Sequence, residues 1–328
     1  MPRSEDVRLS AGEASLAGTL VLPDAPPLPD RRGRYPAVLL LPSWLPRDRD
    51  GGWDRSGHPA WFAAEGPMSP GILARLAAAL ADRGVASLRC DPRGCGESEG
   101  AWEEVALFTR IDDARDMLAF MRSHAALDLR RTGILGHGEG ATVALSVGIG
   151  DPAVGALTLI GPSARSWRDV LRRGVAERAR QGTDRQHPLV RAVDRWSEDI
   201  IERAERGEPS FDLPLAGGIG VHLRLAATEQ AIHTPPLALA SMLHRPVTLV
   251  HGLRDRWADP DESELLATVL VQAGNRPTLL PVAEAGHELA EAGDPVIARV
   301  AADLAARLLP RELPPVLVAI EEMGDGVR

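Results

Sequence analysis

Three stretches of this 328-residue chain combine reactive side chains with the glycine spacing of tight turns. The first, Ile134-Leu135-Gly136-His137-Gly138-Glu139-Gly140-Ala141, reads as a buried strand turning abruptly into a helix with glycines packed around the turn. Its central residue, Gly138, carries no side-chain atom that could attack a substrate or give up a proton, so covalent chemistry through this position is impossible. The second and third are His251-Gly252-Leu253-Arg254-Asp255 and Ala285-Gly286-His287. Imidazoles and carboxylates are the usual general acids and bases near neutral pH. Plainer roles exist for the same residues: an aspartate after a strand commonly caps a helix, and a loop histidine is commonly solvated. Asp259 offers a second carboxylate in the same stretch.

Other reactive groups are sparse. Cys90 and Cys95 are the only cysteines, too few for a disulfide scaffold or a four-cysteine zinc site, and they suit a reducing compartment. Cys95 reads as a packing residue, since a reactive thiol needs an exposed, electropositive setting. Glu139 and the cluster Arg47-Asp48-Arg49-Asp50 offer acid, base or anion contacts, or else are solvated or pair with each other. No metal or cofactor motif stands out, and none is expected.

The elements that position these groups alternate. Val7 to Ser10 and Leu16 to Leu22 read as an antiparallel edge ribbon. Buried strands follow at Tyr35 to Leu41, Val85 to Arg89, Arg131 to His137, Val154 to Ile160, Pro246 to Val250 and Thr278 to Pro281. Helical periodicity lies between them at Gly71 to Arg83, Thr109 to His124, Ala141 to Val147, Glu262 to Ala273 and Pro295 to Leu309. Such alternation predicts a mainly parallel, doubly wound α/β sheet. About 85 residues separate the strands at 154 and 246, and the amphipathic stretches 167 to 180 and 190 to 206 predict a mainly helical cap over 163–244. Core segments are then 1–162 and 245–328, with Glu321 to Arg328 frayed. Residues 42 to 70, with five Pro and three Trp, form a long loop placed over the site.

A formal charge of −9 argues against nucleic acid as a partner, because that affinity comes from clustered cations. No apolar run reaches the ~18 residues of a membrane span, so a soluble, cytoplasmic chain without a membrane partner is expected. All 37 basic residues are Arg, a bias that fits a GC-rich, for example actinobacterial, genome.

The turn at Gly136–Gly140, then Asp255, then His287, together with the earlier turn Asp91-Pro92-Arg93-Gly94-Cys95-Gly96-Glu97-Ser98, resemble the α/β-hydrolases of the serine esterase and peptidase-like group from about residue 7 to 310. Resemblance implies that Asp255 orients His287, and that Gly138 stands where the nucleophilic serine belongs. It also places Trp44, Glu139, Ser43, His137 and Trp257 around the oxyanion and substrate, with Asp259 as the fallback acid and His251 at a strand end. Where relatives read H-G-S-G-P-x-D-R-D-G, this chain has Pro42-Ser43-Trp44-Leu45-Pro46-Arg47-Asp48-Arg49-Asp50-Gly51, which keeps only the distal half. Either a serine was deliberately replaced by Gly138 or the nucleophile was lost in evolution. Departures at two catalytic features favour loss, as does the strain of order 1 to 3 kcal/mol that glycine relieves at such a turn.

The expected function is therefore a small-molecule enzyme in which His287, oriented by Asp255, acts as general base without a covalent intermediate. Elimination, cyclisation or cleavage of an acyl-bearing metabolite, for example a polyketide, would suit it. The alternatives are a non-catalytic binding or scaffold protein, and a serine ester hydrolase or peptidase silenced at Gly138. Trp44, Trp53, Trp61, Trp102, Trp167, Trp196 and Trp257 all fall in expected loops or the cap, where they either line an apolar substrate crevice or glue the cap to the core.

Overall fold

The computed structural model describes residues 2–26, 33–54, 57–58, 71–181, 188–214 and 220–309. An eight-stranded sheet runs through the molecule in the order β1-β2-β4-β3-β5-β6-β9-β10. Its strands are β1 (Arg3–Ala11), β2 (Ala14–Leu22), β3 (Tyr35–Leu41), β4 (Ala86–Cys90), β5 (Leu127–His137), β6 (Val154–Ile160), β9 (Val247–Gly252) and β10 (Thr278–Val282). The β1–β2 hairpin is antiparallel and joins β4 antiparallel at one side. All pairings from β4 across to β10 are parallel.

Side chains alternate across this sheet and divide the core in two. Leu39, Leu41, Ile134, Leu157, Leu159, Val247 and Leu249 face one side, under α2 (Leu107–Ser123), α3 (Glu139–Gly150), α7 (Pro236–Met242) and α8 (Asp261–Gln272). Val38, Leu40, Leu135, Ala156, Ile160 and Val250 face the other, under α1 (Ile72–Ala81) and α9 (Asp294–Leu308). With both faces covered, the parallel strands are near-continuous apolar runs, which is why they were visible in the sequence. This is an α/β-hydrolase fold. Among the described residues no helix is long and apolar enough to cross a membrane.

Between β6 and β9 lie α4 (Trp167–Gln181), α5 (Pro188–Glu205), the antiparallel hairpin of β7 (Ser210–Pro214) and β8 (Gly220–Arg224), α6 (Leu225–His233) and α7. Leu171, Ile200, Ile201, Leu213, Val221, Leu225 and Ile232 form a separate apolar cluster there, closed by Leu45 from the loop after β3. The expected helices at 167 and 190 are present as α4 and α5. The hairpin and the nine-residue α6 were missed because such short elements carry too little periodicity to read. At the far end of the expected cap, Ala240 of α7 and the following Leu243 pack in the main core.

Candidate active site

The turn at Gly138 depends on missing side chains. Gly138 has φ 56° and ψ −119° between β5 and the first turn of α3, a left-handed conformation that disfavours other residues. A Cβ on Gly136 would fall 2.1 Å from the Gly140 carbonyl oxygen, and one on Gly140 would fall 2.6 Å from that of Pro42. Bare backbone lets strand, helix and the loop after β3 converge. The Gly138 N–H donates to Ile160 O at 2.9 Å, fixing the turn to the end of β6.

Asp255 leaves the loop after β9 with its side chain fully buried. Its Oδ1 accepts the amides of Trp257 at 2.8 Å and Ala258 at 3.0 Å, while Oδ2 lies 2.7 Å from His287 Nδ1 and 3.2 Å from His251 Nε2. Burial alone would raise the Asp255 carboxyl, but the facing charge of His287 and the hydrogen bonds of both imidazoles hold it well below the usual range. For His287 the signs reverse. Burial would lower the imidazole, and the adjacent Asp255 carboxylate more than offsets this, so its pKa is raised. With Nδ1–H donating to Asp255, Nε2 is left facing the turn, 3.1 Å from where a Cβ on Gly138 would stand.

The neighbouring histidines have supporting places. His137, at the end of β5, is fully buried and donates from Nε2 to the His287 carbonyl oxygen at 2.9 Å, its ring centroid 4.9 Å from that of His287. Burial pushes it down to about 4, so it stands neutral beside the His287 ring. His251 lies between Ser263 Oγ at 2.7 Å and the Ala258 carbonyl at 3.0 Å, holding the Asp255 loop. Asp259, the fallback acid, is exposed; it caps the Asp261 amide and faces Arg173. Leu289, two residues after His287, has φ 46° and is the one non-glycine residue at positive φ among those described. Such strain persists where packing over-determines the loop.

Ser43 and Trp44 follow β3 on the opposite side of the turn. Ser43 is 2% exposed, and its Oγ lies 2.2 Å from the Cβ position of Gly138. Arg110 of α2 donates through Nη2 to the carbonyls of Pro42 at 3.2 Å and Ser43 at 2.8 Å, and through Nη1 to Glu139. Arg47 is 1% exposed and makes a two-pronged pair with Glu288, at 2.8 and 2.6 Å. Burial would raise Glu288, but Arg47 brings it down to about 2. The Arg47–Asp50 side chains do not pair among themselves, one of the two arrangements the sequence suggested, while Asp50 stays 46% exposed. Arg49 pairs with Asp91 and Glu97, Asp50 with Arg89, and Asp48 accepts the amides of Asp50 and Gly52. Arg110 was missed because nothing in its sequence distinguishes it from the other arginines, whereas Glu288 adjoins His287 and could have been flagged.

The site opens into a crevice of about 870 Å³, part of it open to solvent, lined by Ser43, Gly138, Glu139, His287, Glu288, Trp44, Trp167, Trp257, Leu107 and Leu171 among others. Trp44 stands edge-on to Trp167 at 6.2 Å, with Trp102 at 6.4 Å behind it. The tryptophans divide between the crevice and the apolar cluster, and two of them touch both. Trp257 lines the crevice, Trp44 and Trp167 line it and also pack on the apolar cluster of residues 167–232, and Trp53, Trp102 and Trp196 pack on that cluster. Trp61 lies outside the described residues.

Residues 68–291 match the family described as Hydrolase_4, serine aminopeptidase S33. The chain belongs to this S33 family. It is 29% identical over 157 residues to "Acyltransferase drtE" of Aspergillus calidoustus, a match spanning 42% of this chain and about half, 51%, of that protein. Among solved structures, DcsB in complex with its substrate analogue superposes with a TM-score of 0.64 at 15% identity, covering 94% of this chain and 100% of that one. Est1E of Butyrivibrio proteoclasticus with bound ferulic acid gives 0.61 at 14%, covering 92% and 98%. At these identities the likeness is one of fold.

Two features of this S33-family chain stand apart from the crevice. The Asp91–Ser98 turn is structural: Asp91 accepts the amides of Arg49 and Glu97 and the Arg49 guanidinium, and Ser98 Oγ donates to the Asp91 carbonyl at 2.7 Å. Within it Cys95 is buried, and its thiol is pushed up to about 12 by burial, the opposite of an activated nucleophile. Asp54, His58 and Cys95 bring possible ligand atoms within 4.8 Å of one another. As they stand, His58 Nε2 faces the Gly94 carbonyl at 2.8 Å, and Asp54 accepts the amides of Gly57 and Gly96 at 3.0 Å each. The donor atoms are spent on holding the turn.

Proposed function

We propose that this protein is an acyl-processing enzyme acting on an apolar small molecule, with His287 as general base and Asp255 as the residue that orients it. The observation that carries this reading is the 2.7 Å contact between His287 Nδ1 and the buried Asp255 Oδ2, which leaves Nε2 free towards the crevice. A neutral imidazole so oriented accepts a proton from a hydroxyl at Nε2 and stabilises its resulting charge against Asp255. The amides of Trp44 and Glu139, at the loop after β3 and the start of α3, are the candidates for receiving negative charge on an acyl oxygen. Substrate class follows from the walls: Trp44, Trp167, Leu107 and Leu171 favour an apolar acyl chain or ring system. An acyltransferase among the relatives supports acyl chemistry over the other reactions open to such a base.

The test is turnover of p-nitrophenyl esters and N-acetylcysteamine thioesters of graded acyl length, comparing the chain with His287→Ala. A fall of at least ~100-fold is expected for loss of a general base. Equal rates in the two proteins, or no turnover across the series, would overturn the reading.

A further inference from the structure

The absence of a nucleophile at Gly138 and the position of Ser43 are two sides of one arrangement. A side chain leaving the turn at 138 would have to start at a point 2.2 Å from Ser43 Oγ, 3.0 Å from Ser43 Cβ and 3.1 Å from His287 Nε2. Ser43 Oγ thus occupies the space into which a residue at 138 would project, and it reaches that space from the neighbouring strand end. Hydroxyl and imidazole nitrogen both stand within 3.1 Å of the same point. The two compete for one space: a side chain at 138 requires the Ser43 hydroxyl to turn out of its present place.

We propose that Ser43 is the catalytic nucleophile of this protein, its hydroxyl standing in from the loop after β3 for the one that the turn at Gly138 lacks. This rests on the reading of His287 as base. Three further observations support it. Ser43 and His287 both line the crevice. The loop carrying Ser43 is held on both sides of the residue, because Arg110 donates to the carbonyls of Pro42 and Ser43. And α3 begins at Glu139, so the positive end of the helix lies beside the same position, where negative charge would develop.

The chemistry balances without any added reagent beyond the acyl donor and acceptor. His287 Nε2 takes the Ser43 hydroxyl proton as Oγ bonds to the acyl carbon of an ester or thioester. The bond from that carbon to the alcohol or thiol breaks, and His287 returns the proton to the departing group. Water or an acceptor alcohol then gives its proton to His287 and attacks the acyl carbon. Ser43 leaves, recovers its proton from His287, and a carboxylic acid or a new ester is released. The requirement for an activated hydroxyl at this turn is met by a residue that enters from a different element.

The probe is an alkyl fluorophosphonate, read by intact mass and peptide mapping on the unaltered chain. Trypsin should release Tyr35 to Arg47 as one peptide in which Ser43 is the only serine, so the adduct site is unambiguous. One adduct on Ser43 is expected, absent in Ser43→Ala and slowed at least 10-fold in His287→Ala. Ser43→Cys, which keeps a nucleophilic atom, should regain alkylation by iodoacetamide at the same peptide and guards against a folding defect in the alanine variant. No adduct on folded protein, or an adduct at another residue that persists in Ser43→Ala, would overturn the proposal. Turnover of the esters separates the two readings. If it is lost in His287→Ala but unchanged in Ser43→Ala, Ser43 is not the nucleophile and the base stands; if it is unchanged in both, the base fails as well.

Discussion

Ser43 Oγ and a Cβ on Gly138 would stand 2.2 Å apart, so a side chain at 138 and the Ser43 hydroxyl in its present place compete for the same space. The pair therefore makes a reciprocal prediction. Gly138→Ser alone forces Ser43 aside and places a non-glycine residue at φ 56°, and it should destabilise the protein by roughly 1 to 3 kcal/mol. Ser43→Gly combined with Gly138→Ser removes the overlap and should recover most of that loss. Urea denaturation of the two singles and the double measures the coupling. Additive effects would mean that the two positions do not compete for space.

With His287 as the proposed base, its raised pKa sets the expected pH dependence of activity. Burial opposes the protonated form and Asp255 favours it, and the second effect wins. An imidazole with a raised pKa stays protonated to higher pH, and only its neutral form can accept a proton. Activity should therefore rise with pH through a midpoint above the ~6.5 of an unperturbed imidazole. Asp255→Asn removes the cause, so the limb should move to lower pH while the plateau of kcat/KM falls by ~100-fold or more. A limb that stays in place in Asp255→Asn would assign it to another group.

The sheet and the His287–Asp255 pair were legible in the sequence for one reason, which is that both depend on local patterns. Strands buried on two faces give unbroken apolar runs such as Tyr35 to Leu41; Asp255 sits just beyond such a run, and His287 follows the half-exposed edge strand β10. What could not be read depends on distant partners. Nothing in Pro42-Ser43-Trp44 indicates that the serine hydroxyl fills the space beside Gly138, since residues 43 and 138 meet only where β3 and β5 lie side by side. The Arg47 to Asp50 cluster shows the same limit. Its spacing suggested mutual pairing, but the fold gives Arg47 to Glu288, 241 positions away, and Arg49 to Asp91.

Arg110 should act on rate through position. Its guanidinium joins the Pro42 and Ser43 carbonyls to Glu139, holding the loop after β3 against the start of α3. Arg110→Ala frees that loop, and small displacements of reacting groups cost on the order of 10- to 100-fold in rate. The loss should fall on kcat more than on KM, because the apolar walls proposed to bind substrate are untouched. Arg110→Lys should rescue poorly, since a single ammonium cannot reach both carbonyls and the carboxylate with the geometry of a planar fork. Steady-state kinetics of the two variants check this, and full rescue by lysine would reduce the role to charge alone.

Glu288 supplies a test at the level of stability. In the folded protein its carboxylate faces the buried Arg47 guanidinium and titrates near 2, below its ordinary 4.5. A folded pKa below the unfolded one means that the stabilisation is fully present above about pH 4.5 and is lost as the pH falls towards 2. Glu288→Gln leaves Arg47 buried without its counter-charge, which should cost about 3 kcal/mol at pH 7. The gap between the chain and Glu288→Gln should then narrow between pH 4.5 and pH 2.5, as the carboxylate of the parent becomes protonated and resembles the amide. Urea midpoints across that range measure it directly. A gap that is constant with pH would show that the variant loses packing around Glu288 and that the ion pair with Arg47 contributes nothing net.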